Sequence, residues 1–347
     1  MSRSGRSRRS IRAYVLAMLV AVVARSAAQS APAAPQLEAA LRKAASLPRL
    51  HALIIAQRGV IRAERRYRGP SLDTPVNIKS ISKSIVSALV GIAIDEGKLR
   101  GVDQPIAPYF ARYLMRQTDP RVAQITIGNL LSMQSGLTRT SGPTHAAWTA
   151  SRDWVGYIFA APLISDPGET MVYSTGNSHL LSAILTQATG RSTYAYARER
   201  LAKPLGVALP PWPRDPQGIY FGGNQMRLSA HALVRFGELY RNHGRAGGRQ
   251  IVPERWIDES WTPRTRSIFS GQLYGYGWFI AQLSGHPLYF AWGYGGQFVF
   301  VMPDLELVVV TTSEPTGPRD MAHLGAIYDL LATDIVPAAE AVLRAPS

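Results

Sequence analysis

The feature that most constrains this chain is a long apolar segment, NIKSISKSIVSALVGIAIDEGKL at residues 77–99, which opens with a serine and a lysine. Its apolar and small residues, with Gly97 as a stop signal, predict a buried helix from about Ser80 to Glu96. Ser80 and Lys83 are three residues apart, which places both side chains on one helix face within reach of each other. A lysine in apolar surroundings is pushed towards its neutral amine, which can accept a proton from a serine hydroxyl.

The position of this pair at the start of the helix adds to that interpretation. Main-chain N–H groups at a helix N-terminus have no partner within the helix, and the helix dipole is positive there, so both stabilise negative charge developing at Ser80. The pair is also the only S-x-x-K in the chain. The alternative is a helix with a serine N-cap and a lysine that reaches out to solvent.

The first thirty residues differ in composition from the rest. A basic stretch, an apolar run and a stretch of small residues follow one another, which predicts a secretory signal peptide over residues 1–28, cleaved after Ala28. The apolar run is too short to span a bilayer, and a retained N-terminal anchor is the alternative, with this segment as the one membrane contact. The expected location is therefore periplasmic or secreted. Removal of six arginines and no acid would lower the formal net charge from +15 to +9.

Composition excludes several kinds of site. The absence of cysteine rules out disulfides, a thiolate nucleophile and cysteine-based zinc sites. The seven histidines include no H-E-x-x-H, and no G-x-S-x-G nucleophile elbow is present. The arginines are scattered rather than grouped, and no nucleic-acid-binding motif accompanies them. We therefore expect no metal, no organic cofactor and no nucleic-acid partner.

The order of predicted elements indicates the fold class. Residues 29–48 are predicted to be a linker that runs into a short helix, and a β-hairpin follows, turning at Arg58 and Gly59. Helical pieces separated by Pro and Gly fill about 100–270, and two further hairpins and a final helix complete a domain over 49–335, with 336–347 as a tail. Strands at both ends imply an α/β protein of the α+β type, whose antiparallel sheet combines N- and C-terminal segments around an inserted, mainly helical region.

Five motifs occur together in order and spacing. They are SISK at 80–83, LLSMQSGL at 130–137, PGETMVYSTGNSHLLSAIL at 167–185, GGNQMRLSAHALVRFG at 222–237, and YGYGWF followed by WGYGGQFVFVMPDLELVVV within 274–310. With them the chain resembles, over about residues 40–335, the serine β-lactamase-related family. That family includes class C β-lactamases, DD-peptidases, esterases of the β-lactamase fold and 6-aminohexanoate-dimer hydrolases. The resemblance implies a β-lactamase/transpeptidase-like fold and an acyl-enzyme mechanism.

The resemblance also implies roles for particular residues. Ser80 is the acylated nucleophile, Lys83 is its proton acceptor or electrostatic partner, and Tyr173 in VYST matches the tyrosine that serves as general base and acid. Which of Lys83 and Tyr173 takes the proton first stays open. The main-chain N–H groups of Ser80 and Gln297 are expected to form the oxyanion hole.

The chain departs from the family's pattern at two positions of the expected substrate-binding set, Thr175, Asn177, Tyr294, Gly295 and Gly296. Thr175 stands where the family has an asparagine, whose substrate contact Asn177 could supply. Tyr294 stands where β-lactamases have the lysine that helps to hold the substrate carboxylate, and Gly295 and Gly296 let the backbone approach the substrate.

These departures favour a hydrolase of a small ester or amide. A true β-lactamase or DD-peptidase acting on cell-wall-like substrates is the first alternative. A catalytically silent envelope-binding or sensor module that keeps the fold is the second, and retention of serine, lysine and tyrosine together argues against it.

Overall fold

The computed structural model describes residues 35–115 and 117–344, so the predicted signal peptide lies outside the described residues. The described strands are β1 (Leu50–Gln57), β2 (Val60–Arg66), β3 (Val76–Asn77), β4 (Arg227–Leu228), β5 (Arg245–Ala246), β6 (Arg249–Gln250), β7 (Thr265–Arg266), β8 (Leu273–Tyr274), β9 (Phe279–Leu283), β10 (His286–Gly293), β11 (Gln297–Met302) and β12 (Leu307–Ser313).

The helices surround a sheet made from eight of these strands. They are α1 (Pro35–Ala44), α2 (Ser82–Asp95), α3 (Ala111–Leu114), α4 (Ile127–Leu131), α5 (His145–Ala150), α6 (Trp154–Ala160), α7 (Thr175–Thr189), α8 (Thr193–Ala197), α9 (Lys203–Leu205), α10 (Ala230–Arg241), α11 (Glu254–Trp261), α12 (Met321–Leu330) and α13 (Val336–Arg344). Within the described residues, none of these helices has the length and apolar character needed to cross a bilayer.

The main sheet has the order β2-β1-β12-β11-β10-β9-β8-β7, and every neighbouring pair is antiparallel. The N-terminal hairpin turns at Arg58 and Gly59, both with positive φ, and β1 pairs with β12 in a register that sets Ile54 opposite Val310. The predicted sheet of N- and C-terminal segments is therefore confirmed.

Both faces of the sheet are covered, which explains why its central strands carry apolar residues on both faces. All seven residues of β12 are buried, and they alternate between two cores. Val308 and Val310 face the core shared with the helical region, whereas Leu307 and Val309 face the core beneath α1, α12 and α13. Side chains of a strand alternate between the two faces of the sheet, so a sheet that is covered on both faces needs apolar residues at both sets of positions.

The inserted helical region is less separate than the sequence indicates. Helix α10 lies within the predicted insertion, yet it packs on the sheet. A Cβ built on its Gly237 would lie 2.5 Å from Cγ1 of Val308 and 2.9 Å from Cγ1 of Val299. The glycine therefore allows close approach of helix and strand, and the chain has returned to the sheet layer by residue 230.

The predicted tail at 336–347 is wrong for residues 336–344, which form α13. Val336, Ala338 and Ala339 are buried, and the Gln57 side-chain amide donates a hydrogen bond of 3.0 Å to the carbonyl of Ala339. Helix α13 continues the layer started by α12 through a π-helical turn at Leu331–Ile335. The buried apolar face of α13 packs in the core beneath the sheet.

Candidate active site

A cavity of about 680 Å³ opens where the ends of the central strands meet the helical region. Its walls come from eight parts of the chain. The lining residues are Lys79 and Ser80, Arg139, Ser141, Gly142 and His145, Tyr173 and Thr175, Asn224 and Gln225, Phe269, Phe279, Trp292, Tyr294 and Gly295, and Arg319, Asp320 and Leu324.

Ser80 is held at this cavity by a tight turn rather than by the α-helix itself. It lies in a 3-10 turn, Lys79–Ile81, and regular helix begins at Ser82, so the predicted helix start is two residues early. Lys79 has a φ of 52°, and its N–H donates to Asn77 Oδ1 at 2.9 Å. Backbone strain at a residue beside a reactive group is held only where the surroundings over-determine it.

Helix α2 carries Lys83 into the interior because both of its faces are enclosed. Every residue from Ser82 to Ala93 is buried. The buried hydroxyls are satisfied locally, since Ser84 donates to Gly277 O at 2.6 Å and Ser87 donates to Tyr276 O at 2.7 Å. The predicted buried helix is confirmed, and its lysine does not reach solvent.

The Lys83 ammonium group has three hydrogen-bond partners and no carboxylate partner among the described residues. Its Nζ lies 3.0 Å from Ser80 Oγ, 3.3 Å from Thr175 Oγ1 and 2.7 Å from the carbonyl of Gly223. The side chain is 3% exposed. Burial lowers the pKa of Lys83 to about 7, because desolvation disfavours the charged form. A neutral amine therefore faces the Ser80 hydroxyl in a large fraction of molecules at neutral pH.

Tyr173 completes the group of residues around Ser80. Lys83 Nζ lies 5.0 Å from the centroid of the Tyr173 ring, and that ring packs edge-on against Phe269 at 5.6 Å. Burial raises the pKa of Tyr173 to about 12, and its interaction with the Ser80 hydroxyl acts in the opposite direction. Tyr173 is therefore a neutral phenol at physiological pH, rather than the phenolate that a nearby ammonium would favour.

The Thr175 hydroxyl contacts Lys83, and the Ser141 hydroxyl contacts Thr175 in turn. Thr175 Oγ1 lies 2.8 Å from Ser141 Oγ, and the Thr175 N–H donates to the same Ser141 oxygen at 2.8 Å. The structure thus brings Thr175 to the cavity as predicted. Ser141 was not predicted, because it lies four residues beyond the LLSMQSGL motif in a loop without any periodic pattern.

Asn177 is not at the cavity. It lies within α7 and is 1% exposed, and its Oδ1 accepts a hydrogen bond of 3.0 Å from Ser135 Oγ. Its Nδ2 has no partner among the described residues. Asn177 therefore cannot replace the missing family asparagine in this conformation, since its helix directs it into the core.

The Gly-rich turn between β10 and β11 brings Tyr294 and Gly295 to the cavity but not Gln297. Gly295 has a φ of 88°, and a Cβ there would lie 2.5 Å from the carbonyl of Glu314. Gln297 is 1% exposed and pairs with Gly293 across the hairpin, while its side chain bonds to the main chain of Ser313. Gly296 also lies behind the cavity wall.

Several lining residues have no counterpart in the sequence-based prediction. Arg139 and Arg319 are exposed at the cavity, and the Arg319 guanidinium lies over the rings of Phe269 and Trp292, at 5.8 Å and 5.5 Å. His145 is half-buried and stacks on Phe221. Loops supply most of these residues, so no helical or strand period marked them.

The lining contains no set of residues suited to a metal ion. Among residues 35–115 and 117–344, no group of three or more His, Cys, Asp or Glu side chains is arranged to hold one. The chemistry that the site offers is instead that of a serine hydroxyl, a buried amine and a phenol.

Known proteins resemble this chain over most of its described residues. The model of the family described as Beta-lactamase matches residues 36–333. The 6-aminohexanoate-dimer hydrolase of Paenarthrobacter ureafaciens is 24% identical over 344 residues, covering 89% of this chain and 82% of that protein. The D-alanyl-D-alanine-carboxypeptidase/endopeptidase AmpH of Escherichia coli (strain K12) is 28% identical over 143 residues, 40% of this chain and 37% of that protein.

Among solved structures, EstCE1, described as a hydrolase with promiscuous acyltransferase activity, superposes with a TM-score of 0.68 at 17% identity, covering 86% of this chain and 97% of that one. A structure described as a putative beta-lactamase from Bacteroides dorei superposes with a TM-score of 0.73 at 15% identity, covering 88% of this chain and 98% of that one. The fold is thus the β-lactamase/transpeptidase-like fold that the sequence predicted. Because the family model extends over nearly all of the described residues, this chain belongs to the Beta-lactamase family, a family of hydrolases.

Proposed function

We propose that this protein is a serine hydrolase that cleaves a small ester or amide through an acyl-enzyme intermediate on Ser80. The observation that carries the proposal is the 3.0 Å contact between Ser80 Oγ and Lys83 Nζ, an amine whose pKa burial lowers to about 7. A serine hydroxyl is a weak nucleophile until a base accepts its proton, and a neutral lysine at hydrogen-bond distance can do so.

The proposed reaction has two halves. In acylation, Ser80 Oγ attacks the substrate carbonyl carbon as its proton passes to Lys83 Nζ. The bond to the leaving group then breaks, and the leaving group takes a proton from the Tyr173 phenol, which Lys83 reprotonates. In deacylation, water attacks the ester on Ser80, one water proton reaches Ser80 Oγ through the same residues, and the acid product departs. The neutral states of Lys83 and Tyr173 favour Lys83 as the first base.

The oxyanion formed in each half requires two donors. The Ser80 N–H, at the start of the helical segment, is the first donor. Gln297 was predicted as the second, but it is not among the lining residues. The Gln297 N–H stays the predicted second donor, and a main-chain N–H of the Tyr294–Gly295 segment, which lines the cavity, is the alternative.

Two observations favour an acyclic ester or amide over a β-lactam. The family resemblance places Tyr294 where β-lactamases have a substrate-binding lysine, and the tyrosine hydroxyl donates to the carbonyl of Gly317 at 2.8 Å. The relative matched over most of both chains is named for hydrolysing a 6-aminohexanoate dimer, whereas the match to the peptidase AmpH is partial. A β-lactamase or DD-peptidase activity is the second candidate, on the ground of the family match.

The test compares the wild-type protein with Ser80→Ala, and with Ser71→Ala as a control at an exposed serine. Substrates are 4-nitrophenyl butyrate, the corresponding 4-nitroanilide, nitrocefin and a D-Ala-D-Ala peptide. Ester or anilide turnover that disappears in Ser80→Ala and persists in Ser71→Ala supports the proposal. Faster turnover of nitrocefin or the peptide would establish the second candidate instead. A folded wild-type protein with no turnover would favour a non-catalytic envelope-binding module.

Export to the periplasm or medium stays a prediction from residues 1–28. Mass measurement of the mature protein from its host would test it, since cleavage after Ala28 fixes the mass of the product.

A further inference from the structure

The charges that line the active-site cavity do not balance. Its cations are Lys79, Arg139 and Arg319, and Asp320 is the one acid among the lining residues. Asp320 already accepts a hydrogen bond of 2.9 Å from the His323 N–H at the start of α12. The cavity therefore has an excess of positive charge.

The three lining cations also lack carboxylate partners within 4.0 Å in the described parts of the chain. Other arginines of the protein are paired, for example Arg255 with Asp95 at 2.9 Å. Unpaired charges that line a cleft with low-dielectric walls focus a potential that attracts ligands of opposite sign. Burial lowers the pKa of His145, which also lines the cavity, a hydrogen bond with the Thr140 main chain raises it, and the nearby lysines lower it further.

The lining arginines come from different parts of the fold and have different neighbours. Tyr173, the proposed proton donor to the leaving group, packs with Phe269 on the sheet side, and the Arg319 guanidinium stacks on the same phenylalanine. Arg139 belongs instead to the loop that connects α4 and α5 in the helical region. The leaving group must lie beside its proton donor, so the acyl part of the substrate extends along the side that carries Arg139.

Arg139 also lines a second cavity, of about 250 Å³. Its other lining residues are uncharged: Thr138, Thr140, Thr144, Tyr157, Ile158, Ala160 and Ala161. The neighbouring Gly142 has a φ of 68°, and a Cβ there would lie 3.1 Å from Nη2 of Arg139, so the glycine leaves room for the guanidinium. Arg139 is thus the residue that the linings of the two cavities have in common, and it lies within the same active-site cavity as Ser80.

We propose that the substrate's acyl part ends in a carboxylate that Arg139 binds, with Lys79 adding to the attraction. Substrates of this kind are half-esters or half-amides of short dicarboxylic acids. The planar guanidinium fork can hold a carboxylate with two parallel hydrogen bonds, and a cationic acyl end would be repelled at the same place. The inference rests on the proposed serine hydrolase function and adds its substrate class.

The test uses three 4-nitrophenyl esters with acyl chains of equal length: hexanoate, adipate and 6-aminohexanoate, whose distal ends are neutral, anionic and cationic. The variants are Arg139→Gln, Arg319→Gln and Arg264→Gln. Arg264 is the matched control, because it is an exposed arginine that stacks on Tyr276 at 4.6 Å and does not line the cavity. The readout is the ratio of kcat/KM for adipate to that for hexanoate, at low salt and in 0.5 M NaCl.

For the wild-type protein we expect kcat/KM for the adipate ester to be at least tenfold that for the hexanoate ester at low salt, and this ratio should fall in 0.5 M NaCl. The kcat/KM for the 6-aminohexanoate ester, relative to hexanoate, should be lower than that for adipate. Arg139→Gln should lower the adipate ratio at least fivefold, whereas Arg264→Gln and Arg319→Gln should retain it. A wild-type ratio near one would overturn the inference, as would an unchanged ratio in Arg139→Gln or a loss confined to Arg319→Gln. Turnover of hexanoate without charge preference would leave the proposed function intact, whereas no turnover of any ester would reject that function itself.

Discussion

Replacement of Lys83 by methionine should abolish turnover and at the same time change how stability depends on pH. Burial lowers the pKa of Lys83 from 10.5 to about 7 in the folded protein. The unfolded chain therefore binds more protons than the folded chain between these values, and folding is penalised there. The penalty is complete below about pH 7 and disappears above pH 10.5, so this group makes the wild-type protein more stable as pH rises.

The size of the effect follows from the two pKa values. At about 1.4 kcal/mol for each pKa unit, the penalty is about 4 kcal/mol at pH 7 and about 2 kcal/mol at pH 9. Methionine has no such penalty, but it leaves the buried carbonyl of Gly223 without its donor, which costs about 1–3 kcal/mol. That second cost does not depend on pH. The stability advantage of Lys83→Met should therefore shrink by about 2 kcal/mol between pH 7 and pH 9.

The assay is urea-induced unfolding at both pH values, followed by tryptophan fluorescence and circular dichroism. Lys98→Met is the control, because Lys98 is an exposed lysine just beyond the end of α2. It should follow the wild-type dependence on pH. If the free energy of unfolding of Lys83→Met differs from that of the wild type by the same amount at pH 7 and pH 9, burial does not neutralise Lys83, and Lys83 is not the base.

Three further predictions follow from the same structure. The kcat/KM of the wild-type protein should rise with pH around 7, because the burial-lowered pKa of Lys83 sets the neutral amine fraction; a rate independent of pH between 5 and 9 would contradict this. Tyr173→Phe should lower kcat by about 10²–10⁴ with little change in Tm, since it removes only the phenolic hydroxyl and keeps the packed ring, and retention of a tenth of the activity would exclude that role. Gly91→Ala should destabilise the protein by about 1–3 kcal/mol, because its Cβ would lie 2.2 Å from Cγ of Trp256. Gly325→Ala is the control, because Gly325 is also helical and its Cβ would meet nothing within 4 Å. Urea denaturation of both variants should show a loss of stability for Gly91→Ala and none for Gly325→Ala.

The sequence was most informative where the chemistry is local. A contact between residues three apart on one helix depends on helix geometry alone, so the Ser80–Lys83 pair could be predicted before any tertiary structure was known. Burial of Lys83 followed from the apolar character of the same helix. The antiparallel sheet followed from period-two apolar runs at the two ends of the chain.

The sequence was least informative where loops meet across the cavity. Arg139 and Ser141 lie in a loop without a periodic pattern, and Gly223 contributes only its carbonyl oxygen to Lys83. Asn177 was expected near the substrate because it lies close to Tyr173 in sequence, but its place in α7 directs it to Ser135 instead. The direction in which a side chain points depends on how its helix or strand packs in the fold, which the local sequence does not show.

The sequence was also uninformative at the C-terminal end of the described chain, where contacts with distant residues decide the structure. The helix at 336–344 continues a layer that covers the sheet, and its short apolar face was too weak a pattern to distinguish from a tail. Its burial depends on strand β1, nearly three hundred residues away, through the bond from Gln57 to Ala339.

The most direct test of the central claim is the mass of a trapped acyl-enzyme. The protein would be treated with a fluorophosphonate probe, and separately quenched in acid during turnover of 4-nitrophenyl butyrate, then analysed as intact protein and as peptides. We predict one adduct per chain on Ser80, absent from Ser80→Ala and formed much more slowly in Lys83→Met. Turnover that continues in Ser80→Ala, or an adduct on a different residue, would contradict the account.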